Sequence, residues 1–188
     1  FKASKSEKSE QSAKSAEKHY LFVEVEDCID IKPSFEIADD PECSGGKYLT
    51  HPEGTGSSWA NQGVGEAKYF VKIPADGKYF LWALVKWESG CSDCFDVFIE
   101  NITPLRPDNI FCGNPKSWEP KMLGKDTTLF SWHWVNHHVF NLKKGTAEVL
   151  LKNHDDGSNI DKFLLTDDPG YVPQGIKEWV YERDFDSG

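Results

Sequence analysis

Arginine is almost missing from this chain, with only Arg106 and Arg183 among 188 residues. Little guanidinium is therefore on hand to pair with a carboxylated or phosphorylated substrate. No apolar run approaches the ~18 residues that a membrane-spanning helix requires, so no membrane span is expected. The nucleophile-elbow pattern GxSxG is absent. HExxH is absent too, because Trp-Val-Asn separates His133 from His137 and supplies no general-base glutamate. Outside the N-terminal tail, no stretch carries the 3.6-residue apolar period of an amphipathic helix. The chain begins at Phe1 with no charged-then-apolar leader, which reads as a mature product or a piece of something longer.

Acidic residues are abundant: 31 Asp and Glu against 21 Lys and Arg, a formal net charge of −10. Residues 1–19 carry five lysines and three glutamates, so this stretch contributes +2 and the remainder −12. Such a body repels phosphate backbones, which argues against nucleic acid as a partner and suits cation binding. Carboxylates are numerous enough that composition alone leaves a glycosidase pair open.

The five cysteines are Cys28, Cys43, Cys91, Cys94 and Cys112, an odd number that leaves at least one unpaired or paired outside the chain. Cys91-Ser-Asp-Cys94 lacks the βαβ setting of a thioredoxin-like redox motif. It also lacks the second CxxC or HxxxH that a zinc site would need. Structural thiols or disulfides are the expected use. Asn101-Ile-Thr103 is a glycosylation sequon, weakened by the Pro104 after it.

Residues 1–19 are built almost wholly of Ser, Lys, Glu and Ala, so they read as a flexible linker or tail. From Tyr20 the pattern turns to short alternating strands. "YLFVEVEDC" alternates, as does "CFDVFIE". Lys68–Ile73 and Lys78–Trp87 flank the turn Pro74-Ala-Asp-Gly77, and "HVFNLKKGTAEVLLKN" repeats that hairpin pattern. "NIDKFLLTDD" reads as a last strand. Many short strands split by Gly, Pro and Asp predict an all-β antiparallel β-sandwich or jelly roll. Residues 101–129 form a long connection of the kind that often carries function. The module is expected over residues 20–175, with 176–188 an extension or a boundary to another module.

The order of landmarks is more specific than any one of them. "VEVED", "SGGKYL", "YFVKIPADGKYFLWALV", "SDCFDVFIE", "FSWHWVNHHVFNLKKGTAEVLLKN" and "DGSNIDKFLLTDDPGYVP" succeed one another over residues 20–173. This series resembles the galactose-binding-like jelly rolls among carbohydrate-binding modules, families 6 and 35 above all. Leu84 departs from it, standing where many relatives carry Arg after the "LWA" strand. The resemblance implies a secreted, non-catalytic module that binds a polysaccharide or oligosaccharide and accompanies an attached catalytic domain. It also implies a structural calcium (Ca2+) near the first and last strands. The matching positions are Glu24, Glu26, the backbone carbonyl near Lys47, and Asp161. The chemistry is compatible, since calcium takes six to eight hard oxygens. Glu24 and Glu26, two apart, would project from the same side of a strand.

Sugar recognition requires flat aromatic faces and polar groups for hydroxyls. Seven tryptophans supply candidates. Trp82, inside an apolar strand, is expected in the core, and Trp179 covers the sheet or marks a module boundary. Trp59 lies in the polar loop "EGTGSSWANQG" and is a candidate platform, with Trp118 in "NPKSWEP" as a lesser one. Alternation places Trp132 and Trp134 on one face, and the resemblance puts a binding aromatic on their strand. Asn159 matches a position that holds an amide at the loop-end site, while His154, Asp155 and Asp156 share its loop and would contact sugar or a second calcium. His133 and His137 would be about 13 Å apart on a strand, too far to share an ion. The rival readings are a small jelly-roll polysaccharide lyase or glycosidase, and an adhesive cell-surface domain.

Overall fold

A computed structural model describes residues 17–56, 65–99, 110–112 and 129–177. Among these described residues, eleven strands and one short 3-10 helix run in the order β1 (Tyr20–Glu24), the 3-10 helix (Val25–Asp27), β2 (Asp30–Lys32), β3 (Glu36–Asp39), β4 (Lys47–His51), β5 (Glu66–Ile73), β6 (Gly77–Trp87), β7 (Cys94–Ile99), β8 (Ile110–Cys112), β9 (His133–Leu142), β10 (Gly145–Asn153) and β11 (Ser158–Thr166). One sheet has the order β3-β4-β11-β6-β9, with β1 also on β11; the other has the order β2-β5-β10-β7-β8. Every pairing within these sheets is antiparallel. The all-β sandwich expected from the strand pattern is the fold observed. No helix among the described residues is long and apolar enough to cross a membrane.

The core lies between the sheets and obeys the two-residue period of each strand. From one side come Ala67, Tyr69, Val71 and Ile73 of β5, Val149 and Leu151 of β10, and Phe95 and Val97 of β7. From the other come Tyr79, Leu81, Ala83, Val85 and Trp87 of β6, with Phe163 and Leu165 of β11. The alternate residues of β6 and β11 are buried as well, because a second apolar cluster of Trp82, Leu84, Trp134 and Leu164 lies on the other face of their sheet. Tyr171 and Ile176, past the last strand, pack against this cluster. Trp82 is thus core, as expected.

Three expectations about local structure are corrected. The short turns at residues 74–76 and 143–144 do not close hairpins. β5 and β6 belong to different sheets, as do β9 and β10, so both turns are corners between layers. In addition, Glu26 lies in the 3-10 helix rather than on a strand beside Glu24. Alternation along β9 is also broken. Its register against β6 shifts between Phe80 and Trp82, so Val135 and Phe140 are both buried while Val139 is exposed. An extra residue in one strand of a pair reverses the facing of the residues beyond it.

Candidate functional site

At the carboxyl end of β6 the chain meets the start of β11 and the strand β4. Asn159 pairs with Thr50 on one side and Lys86 on the other. A recess of about 360 Å³ opens here, lined by Tyr48, Thr50, Glu53, Glu88, Ser89, Gly157 and Asn159. The buried Asn159 donates through Nδ2 to Glu88 Oε1 at 2.9 Å. The Tyr48 and Trp132 rings stand edge to face with centroids 5.7 Å apart. The Lys86 ammonium lies 5.3 Å from the Tyr48 ring centre and 4.8 Å from that of Trp132. Asp40 fixes the arrangement, accepting from Lys86 Nζ at 2.7 Å and from Trp132 Nε1 at 3.4 Å.

Trp132 itself lines a second recess of about 360 Å³, with Leu84, His133, Trp134, Pro173, Gln174, Gly175 and Ile176. Trp134 is only 5% exposed, and its Nε1 donates to the Gly175 carbonyl at 2.8 Å. Its ring packs against Phe22 and Leu164 beneath the segment after β11 and offers no open platform. The expected Trp132–Trp134 pair is therefore split into one half-buried wall and one packed core residue. Trp59, Trp118 and Trp179 lie outside the described residues.

The loop residues have mainly structural partners. Asp156 accepts from the amides of Gly54 and Gly56 and staples the β4–β5 loop to the β10–β11 loop. His154 Nδ1 faces Asp96 Oδ1 at 3.5 Å, and the neighbouring carboxylate raises the histidine's pKa. Asp93, Cys94 and Asp155 place one potential ligand atom each within 4.8 Å of one another. The Cys94 sulfur belongs to a disulfide, which leaves two carboxylates there. Burial, then the Asp155 charge, push Asp93 up to about 6. Cys112 lies directly across from Cys94 in the β7–β8 register, while Cys28, Cys43 and Cys91 are free.

The four positions expected around calcium converge in part. β1 and β4 share one edge of β11, and Asp161 is the extra residue where the β11–β6 register shifts. Glu24 and Asp161 are buried. Ser44 Oγ lies 2.7 Å from both Glu24 oxygens and 2.9 Å from Asp161 Oδ1, and Ser44 N donates to Asp161 Oδ2 at 3.1 Å. A hydroxyl has one proton, so it leaves most of these oxygens uncompensated. Glu26 comes close as well: a Cβ on Gly45 would collide with Glu26 Oε1, and Glu26 Oε2 is buried without a hydrogen-bond partner. Burial raises Glu24 to about 7, with the charges of Asp161 and Glu26 adding to it, while Ser44 and Lys162 oppose it. Burial also raises Glu26 and Asp161. A dry cluster of under-donated hard oxygens fits a hard cation. Lys47 opens β4 opposite Asp39, and its ammonium pairs with that residue at 2.8 Å.

The fold has counterparts among solved structures. The C-terminal family 6 carbohydrate-binding module of LamC, a marine laminarinase of Zobellia galactanivorans, superposes with a TM-score of 0.55 at 15% identity, over 79% of this chain and 99% of that one. A family 35 module of Clostridium thermocellum gives a TM-score of 0.52 at 17% identity, over 78% and 97%. The fold is that of the family 6 and family 35 carbohydrate-binding modules. A further family 6 module, from Cellvibrio mixtus lichenase 5A in complex with cellotriose, gives a TM-score of 0.51 at 16% identity, over 77% and 94%. No family model matches the sequence. Uncharacterized protein P23 of Formosa agariphila is 23% identical over 158 residues, 82% of this chain. The matched segment spans 36% of that protein's length.

Tyr48, Lys86, Glu88 and Asp40 were not singled out in the sequence. They come from separate segments and meet only when β4, β6 and the start of β9 align. "SGGKYL" did contain Tyr48, and its aromatic ring beside a Gly-Gly turn was the one available signal.

Proposed function

We propose that the chain is a non-catalytic, extracellular carbohydrate-binding module that holds an attached polysaccharide-degrading enzyme against its glycan and is braced by a structural calcium. The carrying observation is the recess between β4, β6 and β11. There Tyr48 supplies aromatic surface, with the Trp132 ring standing beside it at the rim, while Asn159, Thr50 and two carboxylates supply hydrogen-bonding groups. Glu24, Glu26 and Asp161, with Ser44 beside them, would hold the calcium, and the Lys47 carbonyl is the fourth expected donor. The ion would neutralise the buried carboxylates and pin β1 to β11. The Cys94 disulfide supports an oxidising compartment. A linked binding domain acts by raising the local concentration of its partner enzyme at the substrate.

Incubating the protein with a polysaccharide panel tests the reading. Retention on at least one glycan, with no new reducing or unsaturated ends released, is the expected result. Release of products would replace it with the lyase or glycosidase reading. Failure to bind any glycan, with retention on cell surfaces stripped of glycan, would replace it with the adhesive one.

A further inference from the structure

We infer that the recess between β4, β6 and β11 selects an uncharged, hydroxyl-rich sugar unit and rejects uronates and sulfated sugars, with Glu53 and Glu88 reading its hydroxyls. This rests on the glycan-binding reading and names the ligand class of the same site. Each of the two carboxylates is half-used by the protein. Glu88 Oε1 receives Asn159 Nδ2, and Glu53 Oε2 faces Ser92 Oγ at 3.3 Å. Among the described residues, no donor reaches Glu88 Oε2 or Glu53 Oε1, and both side chains are exposed at the mouth of the recess. An ionised carboxylate oxygen can only accept, so the complementary ligand atom is a hydrogen-bond donor. A sugar hydroxyl provides one; an ionised carboxylate or sulfate ester on the sugar does not.

The charge around the recess points the same way. Lys86, the cation between the two rings, is held 2.7 Å from Asp40, so the pair is neutral as a unit. No Lys or Arg among the described residues lines the recess itself, which leaves the formal charges of Glu53 and Glu88 uncompensated there. The neighbouring loops add Asp93, Asp155 and Asp156, all of the same sign. An anionic sugar would meet a field of its own sign.

The test is calorimetry on the whole chain with three probes, each in EDTA and in millimolar calcium. The probes are neutral β-glucan, xylan and galactan oligosaccharides, an oligogalacturonate, and a sulfated galactan oligosaccharide. The wild type should bind a neutral probe at least ~10-fold tighter than either anionic one in both buffers. In E53Q/E88Q, neutral affinity should fall by ~3-fold or more and the neutral-to-anionic ratio should collapse toward one, with Tm unchanged. A structural role alone would not move that ratio. Tighter binding of an anionic probe, unaided or only with calcium, overturns the inference and leaves the glycan-binding reading standing. Binding of no probe at all overturns both.

Discussion

The Asp40 carboxylate receives three protein donors at once. Lys86 Nζ and Trp132 Nε1 reach Oδ2, and the Glu42 amide reaches Oδ1 at 2.9 Å. Burial alone would raise its pKa, but the Lys86, Glu42 and Trp132 hydrogen bonds outweigh that and hold it below the ordinary value. An ionised Asp40 therefore fixes a cation and an indole in one orientation. Removing the indole should cost the proposed ring contact with the sugar, together with rim contacts to Tyr48, Lys86 and Asp40. Trp132→Ala is expected to weaken glycan binding by about tenfold, on the order of 1.4 kcal/mol. Its Tm should fall only slightly, because the side chain is only half-buried. Trp134→Ala should do the reverse, since the buried indole leaves a cavity and its loss costs about 3–5 kcal/mol. Thermal melts beside calorimetry on both variants separate the roles, and equal binding losses with equal melts would contradict the assignment. Strand alternation put both tryptophans on one face, and it was right about the face. It carried no information on the segment after β11 that covers one of them and leaves the other at a rim.

At the scale of elements, residues 167–176 close the outer face of the larger sheet. Both ends of the attachment are polar: Tyr20 donates its hydroxyl to Asp168 at 2.9 Å, and buried Lys162 donates to the Ile176 carbonyl at 2.5 Å. Between them Tyr171 and Ile176 pack on the Trp82–Trp134–Leu164 cluster. A chain ending at Asp168 would expose that cluster and take the Ile176 carbonyl from the buried Lys162 ammonium, at a cost of several kcal/mol. It should melt at least ~10 °C lower and bind a hydrophobic dye in its folded state. An unchanged melt would show that the segment only rests on the sheet. Strand positions were legible because apolar alternation marks β5, β7 and β10 directly. Sheet membership was not. A two- or three-residue turn with Gly or Asp serves a hairpin and an inter-sheet corner equally well, so nothing in "PADG" or "KKG" announces that the next strand crosses the core. The 3-10 helix at Val25–Asp27 escaped for a related reason, since "VEVED" keeps strand-like alternation through a segment that turns.

For the molecule as a whole, the buried carboxylates set how stability depends on pH and, on the proposed reading, how it would respond to calcium. Glu24 has an ordinary pKa of 4.5 and one of about 7 in the folded, metal-free protein. The folded state therefore binds its proton more tightly than the unfolded state does. Below about 4.5 the group is protonated in both states and costs nothing. As pH rises from there to about 7 the unfolded chain ionises first, so stability falls, and the full penalty is present above 7. The loss is on the order of 3 kcal/mol, shared with Asp161, whose carboxyl sits on the same Ser44 hydroxyl. Calcium competes for the site of that proton and should cancel the penalty where it is largest. In EDTA the Tm is expected to drop by about 5–10 °C between pH 5 and pH 8. Millimolar calcium should restore it at pH 8 and change it little at pH 5. A calcium effect equal at both pH values would place the ion somewhere other than this carboxylate cluster. Asp161 and Asn159 stand two residues apart on β11, so the strand that would be pinned by the ion is the one that carries Asn159 of the proposed sugar site. Calcium removal at pH 8 should accordingly weaken glycan binding as well, by a few-fold, and titration of the glycan with and without chelator at that pH reads the coupling directly.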